Sequence, residues 1–387
     1  MPTQEASLYI HIPFCASLCD YCDFYSVTAK SLNDDYIRSF LSALIIDIKS
    51  QIDFFSVKEI PTVYIGGGTP SVLGKSIGVL FDALKTIPFF SPVEFTIEAN
   101  PESLTEGFLD ACMAGGVNRL SLGVQTFHEP SRIAVNRMGD SRVIQKRLAL
   151  IRQFPFALSF DLITGLPCQN EKIILDDIKH VLDFAPAHIS LYSLTIEDNT
   201  PLEDKIKNKT VNLPDRDLSD SLWLAGRGAL LNAGFEHYEI SNFARNVHGS
   251  RCLHNIRYWQ MQNWLGAGPS ASGTIVNEKE GSAERFTLAP DTDVYIKEIL
   301  SGQTAINNAL LCNREEIKKN VFLKENLLMG FRYAGGAESN LFKQRFGVTI
   351  EDCIPKTLEK WKEKNKMLFL NQFLSEAFEE IDYYSAV

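Results

Sequence analysis

Nowhere does the sequence hold the roughly 20 consecutive, mostly apolar residues that a transmembrane helix needs. Its longest stretch without charge, Tyr258 to Asn277, is broken by Gly, Pro, Gln, Asn and Ser, so no membrane-spanning helix is expected there. An export signal is not expected either. Met1 to Ser7 has no basic residue ahead of its apolar stretch, and His11 and Pro13 interrupt that stretch, which leaves a cytoplasmic protein as the expectation. Positive charge is scarce as well. With 38 Lys and Arg against 48 Asp and Glu the net charge is −10, and such a chain lacks the basic field that gathers phosphates, so no nucleic-acid partner is expected. Eight cysteines in 387 residues are too few for a disulfide scaffold, yet Cys15, Cys19 and Cys22 fall within eight positions. That crowding points to metal in a reducing compartment.

What is present is a repeated alternation of short β-branched runs and amphipathic stretches. Leu8–Ile12, Thr62–Ile65, Glu94–Ile97, Arg119–Val124, Leu158–Ile163 and His188–Leu194 read as six strands. Between them, Asp34–Phe54, Ser71–Leu84, Leu104–Ala114, Arg142–Phe154 and Glu171–Leu182 place apolar residues at three- and four-residue spacing. This pattern implies an α/β fold with parallel strands, either doubly wound or a partial (β/α)6 barrel, and in both the ligands gather where strands end. Polar, glycine and cysteine positions do recur there: the cysteine loop, Gly66-Gly67-Gly68-Thr69-Pro70, Glu98-Ala99-Asn100-Pro101, Gln125, Asp161 and Thr195. Three regions are expected: a barrel over residues 1–245, a connecting segment over 246–307, and a small helical, winged-helix-like domain over 308–387. Within the second, His248 to Gly273 shows no clear helical or strand period and reads as a linker or loop. In the third, Glu315–Phe331 and Thr357–Asn365 are the candidate helices.

The CxxxCxxC spacing of Cys15, Cys19 and Cys22 lets one loop wrap three thiolates around a single centre. Structural zinc takes four protein ligands, whereas a [4Fe–4S] cluster held by three cysteines keeps one iron open for an outside ligand. The competing readings are a zinc loop completed by His11 or Cys168, or three thiols that are merely buried. The neighbouring Phe14, Tyr21, Phe24 and Tyr25 favour the cluster, since an apolar shell limits water and tunes potential.

The run Ser7 to Cys15 with Cys19-Asp20-Tyr21-Cys22 resembles the radical S-adenosylmethionine superfamily, in its HemN/HemW branch of coproporphyrinogen oxidases and haem chaperones. The resemblance continues through the glycine motif, Glu98-Ala99-Asn100-Pro101, Gly123 to Phe127, Asp161 to Pro167, Leu194 to Glu197 and Tyr238 to Phe243. It implies S-adenosylmethionine chelated at the open iron and cleaved by an electron from the cluster to a 5′-deoxyadenosyl radical. By the same resemblance Tyr9, Gly67 and Glu98 match contacts of the cluster-bound S-adenosylmethionine. Tyr21, Gly68, Thr69, Gln125, Arg137 and Asp161 match a second S-adenosylmethionine site. The plainer readings are a bare tight turn for the glycines, a solvated carboxylate for Glu98, and a structural ion pair for Arg137 with Asp161.

Oxidases of this branch usually carry a fourth cysteine two positions after the third and a longer N-terminal extension. Here Phe24 stands at that position and fourteen residues precede Cys15, which matches the haem-chaperone group instead. His254-Asn255-Ile256-Arg257-Tyr258-Trp259 resembles the HNxxYW motif associated there with haem. His254 is thus a candidate haem contact, with His248 and Cys252 as local competitors, against the plainer reading of a packed core histidine. The resemblance implies a carrier that delivers haem to haem-requiring respiratory proteins and draws on an electron donor. Its rival is anaerobic decarboxylation of coproporphyrinogen III to protoporphyrinogen IX. The lysines at 318, 319 and 360–366 are interrupted by acids, so the last region reads as a substrate cover or partner surface.

Overall fold

The computed structural model describes residues 5–29, 33–362 and 369–385. Six strands form in order where the β-branched runs place them: β1 (Ser7–Ile12), β2 (Thr62–Gly67), β3 (Glu94–Ala99), β4 (Arg119–Gln125), β5 (Ala157–Thr164) and β6 (His188–Ser193). Each pairs in parallel with the next. The helices that return the chain are set by local signals. Asp34–Phe54 begins where the Asn33 side chain accepts from Tyr36 N–H, with Asp34 and Asp35 in the first turn. Glu106–Gly115 begins at Thr105 and ends on Gly116 at φ 89°, the left-handed conformation that closes helices. Apolar side chains such as Leu8, Ile10, Val63, Ile97, Leu120 and Phe160 are buried beneath these helices.

Six further strands extend this sheet: β7 (Phe235–His237), β8 (Asn242–Arg245), β9 (Trp264–Ala267), β10 (Ser272–Asn277), β11 (Ser282–Leu288) and β12 (Cys312–Ile317). The order is β12-β11-β10-β9-β1-β2-β3-β4-β5-β6-β8-β7. The core is therefore a partial parallel barrel with antiparallel flanks, and β9 joins β1 in parallel, Tyr9 opposite Gly266. The segment read as a loop over 248–273 is in fact ordered as helix Leu253–Trp259 and two strands of the main sheet.

Two helical expectations are also corrected. Ser71–Leu84 is split: Gly74 at φ 52° separates two short turns of 3-10 helix over Pro70–Ile77, which lead into helix Gly78–Lys85. The run from Glu315 begins as the end of β12, whose charged residues suit an exposed edge strand, and only Lys319–Gly330 is helical. Of Thr357–Asn365, the helix is Pro355–Lys360; the residues past 362 lie outside the described ones. The C-terminal helices bury Phe322, Phe342, Trp361 and Phe373 in a second core. Arg345 ties that core to the sheet through a bidentate pair with Glu278, both contacts at 2.9 Å.

Candidate functional site

Strands β2 to β6 all end on one cavity of about 640 Å³, and the loop that follows β1 lines it as well. Its wall contains Cys15, Cys19, Tyr21, Cys22, Gly67, Gly68, Thr69, Glu98, Gln125, Arg137 and Asp161, eleven side chains or backbone positions singled out from sequence. Tyr9 stands just behind them, its ring 6.4 Å from that of Tyr64, and Tyr64 donates to Glu98 Oε1 at 2.7 Å.

The cysteine loop is held by its backbone. Phe14–Cys15 pairs alongside Val27–Thr28. Asp20 N–H donates to Val135 O at 3.0 Å, Leu202 N–H donates to Asp20 O at 2.8 Å, and Asn136 Nδ2 donates to Leu18 O at 2.9 Å. Burial pushes the thiol of Cys15 up and that of Cys22 up to about 11, so both stay protonated until a metal takes the proton's place.

Neither zinc completion fits. His11 has both ring nitrogens engaged, Nδ1 with Tyr9 Oη at 3.1 Å and Nε2 with Tyr25 O at 2.9 Å, and Cys168 is exposed outside the cavity wall. The three cysteines instead share the wall of a cavity wide enough for several atoms, and a [4Fe–4S] cluster takes its thiolates one on each iron.

The glycine motif is explained by the protein's own packing. A Cβ on Gly68 would stand 2.9 Å from Ile12 O, one on Gly67 2.5 Å from the His11 ring, and one on Gly66 2.9 Å from the Glu98 carboxylate. Gly68 and Thr69 N–H spend their hydrogen bonds on Ile12 O and Phe14 O, at 2.8 and 2.7 Å. The turn is thus packed tightly against the end of β1, Phe14 and Glu98.

Several known proteins are similar to this chain. A model described as the radical SAM superfamily matches residues 9–184. Radical S-adenosyl methionine domain-containing protein 1, mitochondrial, of Bos taurus is 32% identical over 337 residues, 85% of this chain and 74% of its own. Heme chaperone HemW of Buchnera aphidicola subsp. Schizaphis graminum is 31% identical over 368 residues, covering 94% of this chain and 93% of that one. Its counterpart in Escherichia coli (strain K12) is 34% identical over 275 residues, 70% of each chain. The chain belongs to the HemN/HemW family of radical S-adenosylmethionine proteins. In fold it is similar to coproporphyrinogen III oxidase (HemN) from Escherichia coli, with a TM-score of 0.75 at 22% identity over 93% of this chain and 83% of that one.

This radical S-adenosylmethionine family implies a [4Fe–4S] cluster and S-adenosylmethionine, and the residues fit both. Gln125 sits at φ 66°, a strained conformation for a side-chain-bearing residue, and its Oε1 is buried in the cavity wall without a partner. Asp161 accepts from Ser121 Oγ at 3.1 Å, and burial pushes its carboxyl up to about 6 against the pull of Ser190 and Ser121. Arg137 forms no ion pair with Asp161. It turns instead to Cys19, Asn100, Gly123 O and Glu102.

His254 is not brought into the cavity. It lies at the opposite, starting end of the strands, 1% exposed, with Nδ1 2.8 Å from Thr62 Oγ1. Its ring packs 4.7 Å from that of Tyr258 and 5.3 Å from that of Tyr64. Burial, then Arg257, lowers it to about 3. As placed, the ring stands outside the strand-end cavity, enclosed by its neighbours, with Nε2 buried and without a hydrogen-bond partner. Cys252 is equally enclosed, its Sγ 3.4 Å from Glu94 Oε1. Sequence reasoning missed Tyr192, in the cavity wall at the end of β6, and gave Asn100 no role although its motif was noted. Strand-end position was the available signal for both.

Glu98 yields a pH test. Burial first, then the charge of Asp161, push its carboxyl up to about 7 against the pull of Tyr64 and the Gly67 N–H. A carboxyl raised in the folded state costs stability once pH climbs above the ordinary carboxylate range, and the full cost is reached above the folded value. In the ligand-free chain, Glu98→Gln is therefore expected to raise stability by about 1–3 kcal/mol at pH 8 and to lose that advantage at pH 5. Urea midpoints at the two pH values check this; an advantage larger at pH 5 than at pH 8 refutes it.

Proposed function

We propose that this chain is a HemW-like haem carrier whose cluster and S-adenosylmethionine occupy the strand-end cavity, and that it hands haem to haem-requiring respiratory proteins. When bound, S-adenosylmethionine at the open iron supplies one-electron cleavage chemistry. Cys15, Cys19 and Cys22 would hold the cluster. Tyr9, Gly67 and Glu98 would face one S-adenosylmethionine, with Glu98 placed to accept from ribose hydroxyls. Tyr21, Gly68, Thr69, Gln125, Arg137 and Asp161 would take a second.

One observation carries the choice of carrier over oxidase. Phe24, at the position where oxidases of this branch place a fourth cysteine, is 66% exposed in the wall of the cavity, which also holds Leu18 at 45%. Exposed apolar side chains in a cavity wall suit the flat face of a porphyrin. The relatives named heme chaperone HemW support the same reading.

Spectral titration with haem tests it. Wild type is expected to shift the Soret band, His254→Ala to retain the shift, and Phe24→Asp to weaken haem affinity about tenfold or more, the order expected for losing one aromatic contact. No Soret change in wild type would overturn the proposal. Turnover of coproporphyrinogen III to protoporphyrinogen IX by the reduced, anaerobic protein would replace it with the oxidase reading.

A further inference from the structure

One amide in the cavity wall ties two of the three cysteines together. Asn100 is extended, at φ −100° and ψ 138°, as the following Pro101 demands. Its backbone is fixed from both sides. The N–H donates to Ser71 Oγ at 3.1 Å, and the carbonyl accepts from Ser103 Oγ at 3.2 Å. The side chain then reaches two partners: Oδ1 accepts from Arg137 Nη2 at 2.8 Å, and Nδ2 donates to Thr69 Oγ1, also at 2.8 Å. Chemistry dictates this orientation, because a guanidinium only donates. Thr69 therefore accepts from Asn100 and keeps its hydroxyl proton for Cys15 Sγ, 3.5 Å away. Arg137 directs Nη1 at Cys19 Sγ, at 3.4 Å. Gly123 leaves the room, since a Cβ there would stand 2.7 Å from Asn100 Oδ1 and 3.4 Å from Arg137 Nη2.

We propose that Asn100 is a positioning residue that sets the reduction potential of the cluster by aiming Thr69 at the sulfur of Cys15 and Arg137 at that of Cys19. The proposal rests on the cluster reading above. Reduction adds one electron to the cluster from an external one-electron reductant, and no bond to the protein forms or breaks. The added negative charge spreads onto the sulfurs, so donors and a buried cation facing them favour the reduced form and raise the potential. Asn100→Asp reverses one arm. Its carboxylate accepts from Thr69 as well as from Arg137, and the hydroxyl proton is turned away from Cys15.

The test is an EPR-monitored redox titration of the full chain, reconstituted anaerobically, without S-adenosylmethionine, after iron and sulfide are counted. Asn100→Asp is expected to be at least tenfold harder to reduce, a shift of 59 mV to more negative potential for a one-electron couple. Thr69→Val should move the same way by less, while Thr69→Ser keeps the wild-type value. If Asn100→Asp fails to hold a full cluster, Thr69→Val decides alone. Wild-type potentials in every fully loaded variant would overturn the role of Asn100. A wild-type chain that takes up no iron would instead overturn the cluster reading beneath it.

Discussion

Replacing Cys15, Cys19 or Cys22 by Ser is expected to abolish the cluster, bringing iron per chain to background and removing the visible charge-transfer absorption. A cluster already one protein ligand short has no reserve, and among the described residues no further thiol or free imidazole lines the cavity. His11 is bonded at both nitrogens, and Cys168 lies outside the cavity wall. The loop itself should survive, because its position depends on backbone contacts of Asp20 and Leu18 and on the Lys205 to Asp20 ion pair at 2.5 Å. Against iron-free wild type, each variant should therefore unfold in urea within about 1 kcal/mol, as expected where no core packing or buried pair is removed. Full iron in any single Ser variant would contradict the assignment, and a large loss of stability would show that the thiols are structural.

The strands, the long helices and the cysteine loop were legible because each is encoded locally. Asp34–Phe54 and Glu171–Leu182 coincide with their sequence patterns, and in the structure an Asn side chain caps the start of each. Segment 248–273 was not legible, since what orders it is distant in sequence. Gly266 looks like a breaker, yet it lies in β9, opposite Tyr9 of β1, where a Cβ would stand 2.2 Å from Ser272 O. Glycine there marks a close approach of backbones, which one strand cannot reveal alone. The same limit applies to Asn100, whose partners Thr69 and Arg137 come from two other strand ends. For His254 the motif showed an imidazole beside aromatics, and only the fold decides which end of the barrel it occupies.

Replacing Glu94 by Ala is expected to cost about 3–5 kcal/mol, the range for stranding one member of a buried ion pair. The first residues of the strands ring the floor of the barrel, with Ser7, Thr62, Glu94, Arg119 and His188 all buried. Glu94 accepts from Leu253 and His254 N–H, each at 2.9 Å, and lies 3.3 Å from Arg119 Nε. Arg119 also holds Gly249, Ser250 and Arg251 O at 2.6, 3.1 and 3.0 Å. The HNxxYW segment is thereby clamped as a plug, and removing the carboxylate leaves a buried guanidinium without its counter-charge and two N–H groups without their acceptor. Urea unfolding should show a lower midpoint at unchanged slope. Iron content should not change, because β2 carries the chain about 17 Å from Thr62 at the floor to Gly67 at the cavity, at 3.3 Å per residue. At that separation the stability costs of Glu94→Ala and Cys15→Ser should add in the double variant within about 0.5 kcal/mol. A larger departure would mean that the plug and the cysteine loop are coupled through the strands, and that occupancy at one end is felt at the other.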